Sequence, residues 1–125
     1  MLIDDFFEII EIEISQAKDK AKTKVKLNAN HHIFDGHFPE IPIVPGVCMI
    51  QMIKEILTKI VNADLILTTS KIIKFQNLVN PKKNSELFFD YNINHINDNL
   101  ISINTRIYYE NITFCQFKGE FRKLK

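Results

Sequence analysis

Glycine, proline and cysteine are scarce in this chain, and net charge is almost absent: three Gly, four Pro and two Cys occur among 125 residues, with a formal balance of +1. Each shortage excludes something. Cys48 and Cys115 lie far apart in apolar segments, so they read as buried free thiols rather than as a disulfide framework. A charge near zero provides no global field to recruit nucleic acid or a membrane surface, and a charged partner has to be met by a local patch. No apolar run reaches membrane-spanning length, because Lys54 and Glu55 interrupt the longest one. The opening MLIDDFFEII carries early acids and no basic stretch, so it does not read as a signal peptide. The expectation is a cytoplasmic protein with no nucleic-acid or membrane partner. A composition of 46% hydrophobic and 25% charged residues is that of an ordinary globular chain, expected to form one domain over 1–125.

The scarce residues are not scattered. Between His31 and Gln51 the chain reads HHIFDGHFPEIPIVPGVCMIQ. This stretch holds Gly36 and Gly46, Pro39, Pro42 and Pro45, and His31, His32 and His37. The rest of the chain reads as regular elements. In FFEIIEIEI, Ile10, Ile12 and Ile14 share one face and Glu11 and Glu13 the other, the pattern of a half-buried strand. After the turn SQAKDKAK, lysines recur at 18, 20, 22, 24 and 26, with Ala21, Thr23, Val25 and Leu27 facing inward. A hairpin would set the Glu row against the Lys row. The lysines read as a solvated face, or as a contact for an acidic partner.

A helix is predicted over 46–61. In its second half Lys54, Glu55, Thr58 and Lys59 share a polar side, and Ile53, Ile56, Leu57 and Ile60 an apolar one. In its first half Val47, Cys48, Met49, Ile50 and Met52 surround the axis, with Gln51 the one polar side chain, so burial on nearly every side is expected. Beyond the Asn62-Ala63-Asp64 turn the pattern is strand throughout: LILTTSKIIKFQNLV ending at Pro81, then 85–95 with Leu87, Phe89, Tyr91 and Ile93 inward. ISINTRIYY and ITFCQFKGEF follow, the latter with Cys115, Phe117 and Phe121 on one face. Two strands, one helix and four antiparallel strands make an α+β layer arrangement.

The helix start has the makings of a site. Ile43, Val44 and Pro45 offer no side-chain cap, and the N–H groups of Gly46, Val47 and Cys48 lack acceptors within the helix. They stand at the positive end of the helix dipole, suited to an oxygen that gains negative charge. A backbone carbonyl or a water would serve as well. His37, in a loop stiffened by prolines, adds a candidate base. His31, His32 and His37 have no matching Cys or carboxylate partners, so no metal is expected.

Gly36-His37-Phe38-Pro39, Pro42 and Pro45-Gly46-Val47 together resemble the G-H-F-P-x-x-P-x-x-P-G-V signature of the bacterial 3-hydroxyacyl-acyl-carrier-protein dehydratases, and KFQNLVNPKK at 74–83 resembles that family's post-helix strand and V-x-P turn. The resemblance implies the hotdog fold, a six-stranded antiparallel sheet wrapped around one long central helix. It implies that His37 removes the C2 proton of an acyl thioester, that the N–H groups of Gly46 and Val47 hold the thioester carbonyl, and that a helix acid supplied across a dimer interface attends the departing hydroxyl. The acid position falls on Gln51, where the family has Glu or Asp. An amide donates a hydrogen bond but releases no proton at useful cost. Glu55, Asp35 and Glu40 are the acids nearest in sequence, each read as a solvated or turn residue.

The expected function is dehydration of a 3-hydroxyacyl chain on acyl carrier protein to the trans-2-enoyl product, by a homodimer or higher even oligomer without metal or organic cofactor. Phe38, Ile43, Met49 and Phe75 are candidates for the wall of the acyl tunnel. The alternatives are a hotdog acyl thioesterase, and a non-catalytic acyl-binding subunit that works with a second dehydratase supplying the acid.

Overall fold

The computed structural model describes residues 1–35 and 42–124. Element order is β1 (Phe7–Ile14), β2 (Lys20–Leu27), a short 3-10 turn (His32–Phe34), α1 (Gly46–Val61), β3 (Leu65–Phe75), β4 (Glu86–His95), β5 (Leu100–Tyr109) and β6 (Ile112–Lys123). The strands form one six-stranded sheet in the order β1-β2-β4-β5-β6-β3, antiparallel at each pairing. The expected hotdog layout is present: α1 lies against the inner face of the sheet.

The helix buries Cys48, Met49, Met52, Ile53, Ile56, Leu57 and Ile60. That i, i+4 stripe meets the inward residues of the sheet, chief among them Phe89, Tyr91, Ile103, Ile107, Phe117 and Phe121. Tyr91 keeps its hydroxyl in this apolar layer by donating to the Ile53 carbonyl at 2.8 Å. Burial holds that hydroxyl well above its ordinary pKa. The helix ends where Asn62 turns into the left-handed region (φ 53°) and its N–H returns to the Thr58 carbonyl.

Several sequence expectations need correction. A bulge between Ile9 and Glu11 takes Ile10 off the face it was expected to share with Ile12 and Ile14, and Ile10 is exposed. The Glu and Lys rows do align, as Glu8–Lys26, Glu11–Lys24 and Glu13–Lys22. Lys24 nonetheless reaches sideways to Glu86 at 3.7 Å, and Lys22 and Lys24 lie over the Phe88 ring. β3 stops at Phe75 rather than running to Pro81, because the chain leaves the sheet edge there. Gln76 N–H still reaches the Phe114 carbonyl, and the Asn77 side chain takes the Thr113 carbonyl at 2.7 Å.

β3 is an edge strand broken by two register shifts against β6. At the second, Gly119 admits a close approach: a Cβ there would stand 2.5 Å from the Thr69 carbonyl oxygen. Ile66, Ile72, Ile73 and Phe75 of this strand are exposed, so its outer side is apolar as well as unpaired among the described residues.

Candidate functional site

The start of α1 is built from three neighbouring segments. Pro45 sits at φ −61°, ψ 145° and offers no side-chain cap. Its carbonyl accepts from Cys48 N–H at 3.0 Å and Met49 N–H at 3.2 Å. Cys48 is therefore satisfied within the chain, contrary to expectation. Gly46 and Val47 N–H find no acceptor among the described residues. Val44 N–H donates to the Val79 carbonyl at 2.9 Å, which ties the approach to the helix to the 74–83 segment. Phe75, at the end of β3, lays its ring on Gly46: a Cβ on Gly46 would meet Phe75 Cζ at 2.7 Å. Glycine is thus the residue that allows ring and helix start to touch.

Exposure separates the predicted substrate-binding residues. Val47 is 77% and Phe75 51% exposed, whereas Met49 lies in the core at 3%, and Ile43 is half-buried. The exposure of Val47 corrects the expectation that the first half of the helix is covered all round. His37, Phe38 and Glu40 lie outside the described residues. Asp35 is exposed, at the end of the 3-10 turn. Burial pushes the Cys48 thiol up despite its place in the first helical turn, and it holds Cys115 at about 11. Neither is a thiolate nucleophile near neutral pH.

Further along the helix the expectation of a solvated Glu55 is overturned. Glu55 is 5% exposed. Its carboxylate accepts from Leu2 N–H with both oxygens (2.9 and 2.8 Å) and from Ile3 N–H at 2.8 Å. It also accepts from the Gln51 amide nitrogen at 2.8 Å. The i, i+4 spacing of Gln51 and Glu55 was the available sequence signal for this pair. The two backbone donors arrive from more than fifty residues away, which no local pattern shows. Both Glu55 oxygens are thus turned to N–H groups of the chain itself rather than to a ligand.

The same N-terminal segment is fixed a second time. His31 Nδ1 accepts from Ile33 N–H at 3.0 Å, so its proton stands on Nε2, which donates to Asp5 at 2.9 Å. That bond holds the Asp5 carboxyl below its ordinary value. His31 also packs edge-on against Phe6. It is a structural residue of the 3-10 turn at His32–Phe34. Among the described residues no cluster of His, Cys, Asp and Glu is arranged to hold a metal ion. Open clefts of about 430 and 390 Å³ lie along β1, β2 and β4 and include none of the candidate residues. No helix of the described residues is long and apolar enough to cross a membrane.

Comparison with known proteins points the same way. Residues 13–106 match the family model described as ApeI dehydratase. A segment of 50 residues is 36% identical to the 3-hydroxyacyl-[acyl-carrier-protein] dehydratases FabZ of Listeria welshimeri and Listeria monocytogenes. It spans 39% of this chain and about a third (35%) of the length of those relatives. Among solved structures, the dehydratase heterocomplex ApeI:P of Xenorhabdus doucetiae superposes with a TM-score of 0.71 at 22% identity, over 92% of this chain and 96% of that one. The PaaI protein of the E. coli phenylacetic acid degradation operon gives 0.65 at 13% identity, over 95% and 80%. A hypothetical thioesterase with coenzyme A from Streptococcus pneumoniae gives 0.66 at 12%, over 94% and 85%. These superpositions establish the hotdog fold. The family match, covering most of the chain, establishes more: the chain belongs to the ApeI-like dehydratase family.

Proposed function

We propose that this chain dehydrates a 3-hydroxyacyl thioester presented by acyl carrier protein. The carrying observation is the helix start, where Gly46 and Val47 N–H point out of α1 with no acceptor among the described residues. They stand beside an apolar ring and within the P-G-V of the signature. A thioester carbonyl placed there would receive two backbone donors at the positive end of α1, stabilising the enolate-like charge that builds as C2 loses its proton. His37 takes that proton. The C2–H electron pair becomes the C2=C3 bond, the C3–O bond breaks, and the departing hydroxide takes the proton back from His37 to leave as water. Gln51 contacts the hydroxyl.

The exposed apolar side of β3, with Val47 nearby on the helix start, calls for a cover. A second copy of the chain supplies it in this reading, and each site would then take groups from both copies. The outward lysines of β2 are the surface for the acidic carrier protein.

The test is turnover of a 3-hydroxyacyl thioester by the purified chain, followed by enoyl absorbance. His37→Ala is expected to abolish turnover while the far-ultraviolet circular dichroism stays unchanged. Unchanged turnover would sink the mechanism, and free thiol in place of enoyl product would identify a thioesterase instead. Gln51→Glu is a less clean test, because the new carboxyl would stand against Glu55, where two like charges cannot both ionise cheaply.

One observation favours a second reading. Gln51 is an amide rather than an acid, and both Glu55 oxygens face N–H groups of the chain itself, which suits a subunit whose partner brings the acid. In that case the purified chain alone is inactive, and activity returns on adding the partner.

A further inference from the structure

Gln51 is held in one of its two amide orientations. A carboxylate oxygen only accepts hydrogen bonds. The group that faces Glu55 Oε2 at 2.8 Å is therefore the amide nitrogen, and the carbonyl oxygen Oε1 faces the other way. Oε1 has no donor among the described residues. Glu55 cannot turn to release it, because Leu2 and Ile3 N–H hold the same carboxylate from the N-terminal side. The helix thus offers a carbonyl oxygen without a donor among the described residues at the position where the signature family carries its acid.

We infer that Glu55 is a positioning residue that turns the Gln51 carbonyl oxygen toward the acyl chain, so that the site reads a 3-hydroxyl group by the proton it donates and disfavours a 3-oxo group. This rests on the dehydratase reading, which places Gln51 against C3 of the acyl chain. A hydroxyl donates to Oε1. A ketone has no hydrogen to donate and would set two lone-pair oxygens against each other, at the cost of an unpaired, half-buried acceptor. The enoyl product has lost the C3 oxygen altogether and forfeits the contact. The polar pair therefore selects the substrate's oxidation state at C3 and favours release of the product, without taking part in proton transfer.

The experiment measures binding of 3-hydroxyoctanoyl and 3-oxooctanoyl pantetheine thioesters by calorimetry, in a His37→Ala background that prevents turnover. The hydroxy compound is expected to bind about tenfold or more tightly than the oxo compound, the scale of one mispaired hydrogen bond. Adding Glu55→Gln allows the new amide to keep one oxygen on Leu2 and Ile3 while its nitrogen donates to Gln51 Oε1. Gln51 then turns its nitrogen outward, and the preference falls to about unity or reverses. Gln51→Met, which leaves Glu55 and its ties to the N-terminal segment in place, is expected to erase the preference too. A preference that survives Glu55→Gln in folded protein, or survives Gln51→Met, overturns the inference while leaving the dehydratase reading standing. If neither thioester binds, both fall together.

Discussion

Two turns of the same helix treat their polar groups in opposite ways. At the start of α1, Gly46 and Val47 keep backbone donors that nothing among the described residues accepts, and Val47 is largely exposed. One turn and a half further on, Gln51 and Glu55 are wired into a set of four hydrogen bonds that closes on the chain's own N-terminal segment. Unpaired donors near a surface are available to a ligand. Paired acceptors in the interior hold other groups in place. The first turn is thus suited to receive substrate, and the second to fix the orientation of whatever meets it.

The sharpest way to break this comparison is to remove the donor without removing the helix. Gly46→Pro deletes the N–H at a position where proline is tolerated, and Pro45 already has the extended geometry that a following proline requires (ψ 145°). Gly46→Ala places a Cβ against the same Phe75 ring but keeps the N–H. In steady-state assays kcat of the proline variant should fall about 10²–10³-fold below that of the alanine variant. Equal rates would show that the donor is idle.

The second turn should respond in stability first. Glu55→Ala strands Leu2 N–H, Ile3 N–H and the Gln51 amide, and urea titration should register a loss of about 2–4 kcal/mol. A loss near zero would mean that the N-terminal segment is held by something other than the carboxylate.

The smallest effect concerns the other anchor of that segment. Asp5 titrates below its ordinary value of 3.8 in the folded chain because His31 donates to it. A group depressed on folding stabilises above its unfolded value and loses that contribution as pH falls through the folded one. Asp5→Asn should therefore flatten the acid limb of the stability curve below about pH 4, and thermal melts across that range would register the change.

The sequence made the helix legible to the residue, because the apolar run starts after Pro45 and stops at an asparagine able to turn left-handed. It made the strands legible through alternation, as in Leu87, Phe89, Tyr91 and Ile93. The displacement of Ile10 was hidden, since two adjacent isoleucines fit a regular strand as well as a bulged one. Glu55 was misread because charge predicts solvation wherever its partners lie far off in sequence. Cys48 was misread because a 3-10-type bond to Pro45 takes up a donor that simple helix counting leaves free. Of the candidate site, the meeting of Gly46 with Phe75 followed from neither composition nor period. It depends on how the end of β3 lies across the helix start.

The two described glycines carry different freedoms to drift. At Gly119 the obstacle to a side chain is the backbone oxygen of Thr69, which no neighbouring substitution removes, so that position is closed so long as β3 keeps its kink. At Gly46 the obstacle is the tip of a half-exposed aromatic ring, which a smaller residue at 75 would withdraw. Positions 46 and 75 are therefore free to change only together, and a lineage that altered both would reshape the mouth of the site without touching the core.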